Sequence, residues 1–373
     1  MGAGLDARER FMERQSNFIG LDAHSRTCDV GWMTPAGRRR EVWKVRTTIP
    51  ELTEAIERVP RPRKLAMEEG PMADWLLRQL RPLVDELVVC DPRRNALIGR
   101  DGDKTDALDA FALADLHRGG YLRAVHHPES MDREVFKRHV ALYHDRVEHR
   151  VGEANKVLAL LRRYGVVVRD ADLLDPARRR GVLAGLPEDP TVRLDVELLL
   201  AGYDSATDQV RRARAVLVKL AKRHEVVRRW TGVPGVRWVR AATLLAYLDT
   251  PDRFRNKSAL WKYLGIGLQK RVSGKGPEVL RPPTRFNRHL KNAILGAAMT
   301  AVRGRDNPFA AQHRTLMARG IAPRIARRTV ARAMAAVMWG MWKHGGEYQP
   351  GRVGGPDGKE HARDADRPRP RPR

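Results

Sequence analysis

Two cysteines in 373 residues, Cys28 and Cys90, leave no material for a disulfide framework or a cysteine-rich zinc site. Both fall in strand-like apolar runs and are core candidates. No apolar run is long enough to cross a bilayer, and the N-terminus carries no signal-peptide pattern, so the expected location is cytoplasmic. No nucleotide-binding loop of the Walker type occurs, which leaves ATP-driven chemistry without a seat. Acidic residues are also in short supply: 45 Asp and Glu stand against 71 Lys and Arg, a formal net charge of +26 with an isoelectric point near 10.9. The excess is spread along most of the chain, and a field of that size selects a polyanion, nucleic acid first. The length gives room for two or three domains and an ample core.

Residues 1–16 are polar and expected to be loose. From Asn17 to Asp22 an apolar strand ends in an acid. Cys28–Met33, a turn at Pro35-Ala-Gly37, and Glu41–Val45 complete a three-stranded antiparallel start. A short helix over Pro50–Arg58 follows, then a fourth strand, Lys64–Met67, running into Glu68-Glu69. Next come a helix through Trp75–Leu80, a fifth strand at Glu86–Cys90 and a helix over Asp101–Gly120. The order β-β-β-α-β-α-β-α is that of the ribonuclease H-like fold, expected over residues 17–127. In that topology the ends of the first and fourth strands and a late helix converge.

Four acids lie at those places. Asp106 and Asp109, three apart on a helix, share a face with Cβ atoms about 5–6 Å apart. Asp103 as N-cap and Asp106 as a first-turn acid are the ordinary alternative, which leaves Asp109 unexplained. Asp22 and Glu68 end the two strands; Glu69 competes, but Glu68 directly continues the apolar run. Each close contact among such acids costs about 4 kcal/mol at an effective dielectric near 20. Divalent metal is the natural remedy. Oxygen-only ligands favour Mg2+, with Mn2+ as the substitute, over zinc. Two such ions about 3.5–4 Å apart activate both the nucleophile and the leaving oxygen of a phosphodiester.

From about Pro128 to Arg163 the pattern is one long helix, with Phe136, Val140, Tyr143, Val147, Val151, Ala154, Leu158 and Leu161 spaced by threes and fours as in a coiled-coil seam. Residues 128–229 read as a helical hairpin with strongly basic outer faces, which fit equally a solvated surface on a helix with its partner in Thr191–Arg229 and a nucleic-acid-binding, dimerising hairpin. Gly232-Val-Pro-Gly235 resembles the turn of helix-hairpin-helix modules, with Arg237 where a second glycine is usual; an ordinary helix-linking turn fits as well. After a helix over Phe254–Leu264, residues Tyr263–Gly276 form a glycine-spaced basic loop around Ser273. Lys270, Arg271 and Lys275 flank the hydroxyl, and Arg285, Arg288, His289 and Lys291 open the next helix, a set suited to holding phosphate. Residues 230–346 form a mostly helical C-terminal domain, and 347–373 a basic, Pro- and Arg-rich tail expected to be disordered. The fold class is thus α/β plus α.

The ordered set Ile19-Gly-Leu-Asp22, Ala66-Met-Glu68-Glu-Gly70, Lys104-Thr-Asp106-Ala-Leu-Asp109-Ala, Gly232-Val-Pro-Gly235, Tyr263-Leu-Gly265 and Val272-Ser273-Gly274 resembles the DEDD transposases of bacterial insertion sequences, the IS110 family. It extends over roughly Asn17 to Gly345. The resemblance implies a RuvC-like N-terminal domain whose Asp22, Glu68, Asp106 and Asp109 hold magnesium, and a C-terminal transposase domain whose Ser273 is the nucleophile. It further implies a covalent phosphoserine link to DNA, a structured guide RNA as partner, and dimers or tetramers in which the acids of one subunit meet the serine of another. Two features depart from the family pattern: the Glu68-Glu69-Gly70 variant and the strongly basic Gln269-Lys-Arg before Ser273.

A hydroxyl is a poor nucleophile until its proton is withdrawn, and a covalent phosphoester keeps the bond energy for religation, so no ATP is called for. Other readings of the same residues are a hydrolytic nuclease of the junction-resolvase type, using the acids and water without the serine; an actin-like phosphotransferase, which lacks its later glycine-rich loops here; and an inactive nucleic-acid-binding relic.

Overall fold

The computed structural model describes residues 15–91, 105–128, 130–271, 279–304 and 307–353. The chain divides into two compact units, Met1–Glu129 and Ser130–Arg373.

The first unit is built on five strands: β1 (Asn17–Ala23), β2 (Thr27–Met33), β3 (Arg39–Arg46), β4 (Arg63–Glu68) and β5 (Glu86–Cys90). They lie in the order β3-β2-β1-β4-β5. β1, β2 and β3 are antiparallel neighbours, while β4 runs parallel to both β1 and β5. Alternation along β1 assigns the two faces. Ile19 and Leu21 join Val30, Leu65 and Met67 in one buried layer. It is covered by α1 (Ile49–Glu57), through Leu52, Ala55 and Ile56, and by α2 (Ala73–Leu80), through Leu76 and Leu80. Cys28 and Cys90 are fully buried and free of any disulfide.

The opposite face, carrying Phe18, Gly20 and Asp22, receives α3 (Asp106–Arg118). This helix lies close because Ala110 and Ala114 meet Gly20 and Gly31. Its far end is tied to the sheet edge: Lys64 Nζ stands 2.8 Å from a Glu86 carboxylate oxygen and His117 Nε2 3.5 Å from the other. These contacts, His117 first, hold the Glu86 carboxyl down at about 2. Since 3.5 Å is long for a hydrogen bond, Lys64 is the firmer partner.

The expected helix over Asp101–Gly120 begins later. Thr105 caps it, its Oγ1 accepting from Leu108 N at 3.3 Å, and Asp106 is the first helical residue. Asp109 therefore belongs to the first turn, where the dipole does favour an acid. Asp103, expected as the cap, lies outside the described residues, as do 92–104 generally.

The second unit is helical. α4 (Met131–Arg163) runs antiparallel to α7 (Pro190–Ala221), with two short helices, α5 (Asp170–Leu174) and α6 (Pro176–Ala184), between them. The expected continuous seam is interrupted. Phe136 and Val140 pack into the C-terminal core, whereas Ala154, Leu158 and Leu161 join Val196, Leu200 and Tyr203 in a separate cluster. Between them polar contacts enter the seam: Arg146 donates to Gln209, and Arg150 donates to Asp170 and Tyr203. Val151 stays exposed and Val157 is buried in its stead, because the strict seven-residue repeat of Phe136, Tyr143, Arg150 and Val157 passes through Arg150 and leaves Val151 outside the seam.

Then come α8 (Glu225–Trp230), α9 (Trp238–Leu248), α10 (Lys257–Tyr263), a hairpin of β6 (Gln269–Arg271) and β7 (Val279–Arg281), and α11 (Arg288–Arg303), α12 (Pro308–Ala318) and α13 (Pro323–His344). Their core is centred on Trp230, 1% exposed, which donates from Nε1 to Met338 O at 2.9 Å and meets Trp342 edge-on. In Gly232-Val-Pro-Gly235 the second glycine has φ +81°, and a Cβ there would sit 2.1 Å from Ala297 O. That turn is pressed onto α11, which explains why glycine stands there. No helix among the described residues is long and apolar enough to cross a membrane.

Candidate active site

The C-terminal end of β1 carries Asp22, and the β1–β2 register sets Asp29 directly across from it. Like charges so placed repel. The next step across the sheet brings a cation, because Asp29 on β2 is paired with Lys44 on β3. Asp22, Asp29 and Lys44 thus form one row on the face that α3 covers.

Asp106 comes to this row from the first turn of α3. Its Oδ2 lies 3.3 Å from Lys44 Nζ and its Oδ1 3.9 Å from His24 Nε2, while His24 Nε2 reaches Asp22 Oδ2 at 3.1 Å. Lys44 Nζ is also 3.7 Å from Asp29 Oδ2. Burial pushes the Asp22 carboxyl up; His24 pulls it back, and the charges of Asp106 and Asp109 raise it further. Hydrogen bonding to Asp106, reinforced by the Asp29 charge, raises the Lys44 ammonium. The ligand atoms of Asp22, His24 and Asp106 lie within 4.8 Å of one another, a group able to converge on a metal ion. The carboxylates of Asp22, Asp106 and Asp109, with Asp29 behind, face one lysine and one histidine. The excess negative charge is what a divalent cation would neutralise.

One model of the DEDD transposases of the IS110 type matches residues 19–166, and a second, described as the transposase IS116/IS110/IS902 family, matches residues 227–314. The chain belongs to this transposase family. The first match contains Asp22, Glu68, Asp106 and Asp109, and the second contains Ser273 with its basic neighbours. A member of this family is a DNA transposase, an enzyme, and its substrate is DNA. None of the curated proteins matches the chain at a significant level.

For this transposase, Asp22 and Asp106 are the predicted acids brought together within a single group, and Asp109 is close enough to bias Asp22. Glu68 ends β4 one residue beyond Met67, the partner of Leu21, and so lies at the same end of the sheet as Asp22. Strand alternation puts it on the face of Ala66 and Lys64, the partners of Gly20 and Phe18, which is the α3 face. Glu69 has left the strand, its N–H donating to Cys90 O at 2.8 Å.

In the second unit, Lys270 and Arg271 fall on β6, and Arg285 and Arg288 are exposed before and at the start of α11. Lys291 lies 3.9 Å above the Phe286 ring, and burial, with Arg328 nearby, lowers its ammonium. Ser273 and Lys275 lie outside the described residues.

Sequence reasoning missed His24, Asp29 and Lys44. Asp29 and Lys44 join Asp22 in one row only through the cross-strand register, which single apolar runs do not give, while His24 follows Asp22 by two residues just past the strand end.

Proposed function

We propose that the first unit is a ribonuclease H-like, RuvC-like nuclease domain whose Asp22, Glu68, Asp106 and Asp109 hold Mg2+, and that the second supplies Ser273 as nucleophile. The single observation that carries this reading is the approach of Asp106, on α3, to Asp22, on β1, with Asp109 near enough to raise the Asp22 carboxyl. These are the residues that the family motif names.

When bound, the ion would neutralise the acids and polarise a phosphodiester. His24, 3.1 Å from Asp22, orients that carboxylate. Alternation on β4 favours Glu68 over Glu69 as the fourth ligand, since Glu68 belongs to the face of Gly20 and Ala66. Lys270, Arg271, Lys275, Arg285, Arg288 and Lys291 bind the DNA backbone near Ser273. A structured guide RNA selects the DNA, and the chain acts as a homodimer or homotetramer. The support for guidance and assembly is the family resemblance together with the charge of +26.

The test is Asp22→Asn, Asp106→Asn and Asp109→Asn. Each should lower strand cleavage by about 10²-fold or more without unfolding the chain, since no cavity opens, and for Asp109→Asn melting without metal should stay equal or rise because a repulsion is relieved. Cleavage at the wild-type rate in all three would remove the acids from the reaction.

A further inference from the structure

Asp29 is 5% exposed, and its Oδ2 accepts no hydrogen bond. A carboxylate taken out of water in this way needs a counter-charge. The ammonium beside it is Lys44 Nζ, 3.7 Å from Asp29 Oδ2 and 3.3 Å from Asp106 Oδ2. Lys44 is held there by more than chance extension of a long side chain, since its backbone is the registered cross-strand partner of Asp29. One nitrogen therefore stands between a buried acid on the sheet and an acid on α3.

The Asp106 carboxylate is divided by this arrangement. Its Oδ1 faces His24 and the Asp22 side, and its Oδ2 faces Lys44 and the Asp29 side. We propose that Lys44 fills the second of two cation positions at the site, so that the wild-type chain takes one divalent ion on the Asp22 side of Asp106 and an ammonium on the Asp29 side. Asp29 is then a positioning residue that fixes Lys44, and Lys44 in turn fixes Asp106. A second divalent ion would have to displace an ammonium held by two carboxylates, or sit beside it against like-charge repulsion.

This rests on the metal-binding reading of Asp22 and Asp106 given above, and counting ions separates the two. Free Mn2+ is titrated into the full-length protein and followed by electron paramagnetic resonance, with no DNA and no measurement of activity. The wild type should bind one Mn2+ per chain. Lys44→Met, which keeps the stem and removes the charge, should bind a second. Lys44→Arg should remain at one. Lys44→Met combined with Asp29→Asn should lose the added ion. Circular dichroism melting of each variant shows whether it is folded, and Lys44→Gln replaces Lys44→Met if that variant is not. Two ions on the wild type, or a single ion on both neutral variants, would overturn the assignment of Lys44 while leaving the metal site standing. No ion on the folded wild type would remove the metal site and this proposal with it.

Discussion

The backbone of Gly20 passes so close to Ala110 that a Cβ on Gly20 would lie 1.8 Å from the Ala110 carbonyl oxygen. Contact with a backbone atom cannot be relieved by turning a side chain, so the helix itself would have to move. Gly20 is two residues before Asp22, and Ala110 immediately follows Asp109. Gly20→Ala should therefore destabilise the chain by about 2 kcal/mol or more and depress cleavage, although no acid has been touched. A urea melt and a cleavage assay check it; an unchanged midpoint would mean that α3 sits on the sheet more loosely than this contact implies.

A second expectation concerns the opposite end of α3, where His117 and Lys64 hold the Glu86 carboxyl at about 2, below its ordinary value of 4.5. A depressed carboxylate adds stability that is present above its unfolded value and is lost as pH falls through the folded one. The window is thus from 4.5 down to about 2. Glu86→Gln should be less stable than the parent at neutral pH, with the difference shrinking across that window. The side chain is 45% exposed, so solvent screening keeps the effect small. Denaturant midpoints of both proteins at pH 6 and pH 2.5 measure it; a gap that does not close on acidification would assign the role of Glu86 to packing.

The strands of the first unit were legible because their apolar runs are short and are punctuated by turns such as that at Gly37. The position of Asp22 at a strand end followed from the same signal. Asp29 and Lys44 were not legible, since their place beside Asp22 depends on cross-strand register, and single runs carry no register; His24, just past the strand end, reaches Asp22 locally. The α4–α7 pair was foreseen from periodicity, but its polar middle was not, because Arg150, Asp170 and Tyr203 come together from three separate helices. Asp109 was placed a turn too deep because Asp103 looked like a cap, whereas Thr105 has the capping geometry.

The charge of +26 should make nucleic-acid binding steeply salt-dependent, with a slope of about −0.9 on a log-log plot per phosphate neutralised on duplex DNA. Changing Arg285, Arg288 and Lys291 together to Ala should reduce the magnitude of that slope by about one for each side chain that contacts phosphate. If residues 128–229 bind the guide, structured RNA should also bind more tightly than duplex DNA, and the triple substitution should affect the DNA slope more. Fluorescence anisotropy over a salt series provides the measurement; weak, salt-insensitive binding to both would remove the polyanion from the account.

The last expectation is for Ser273, where the transposase mechanism and simple hydrolysis part. If the Ser273 hydroxyl attacks phosphorus, the Oγ–P bond forms as the P–O bond to the leaving strand breaks. The serine proton is given up and the leaving oxygen takes one. The strand end then stays attached to protein, and a second hydroxyl can reverse the step on a new partner without ATP. If water attacks in its place, the end is released and no covalent species exists at any time. Quenching the reaction in denaturant should therefore show a DNA-linked form of the chain that disappears in Ser273→Ala, while nucleic-acid binding persists, since the change removes one oxygen and no charge. Asp106→Asn should also abolish the linked form if the acids and the serine act on the same phosphodiester, and neither half of the chain should cleave alone. Wild-type cutting and rejoining by Ser273→Ala would make the serine a turn residue, and cutting without rejoining or a linked species would make the protein a hydrolytic nuclease of the junction-resolvase kind.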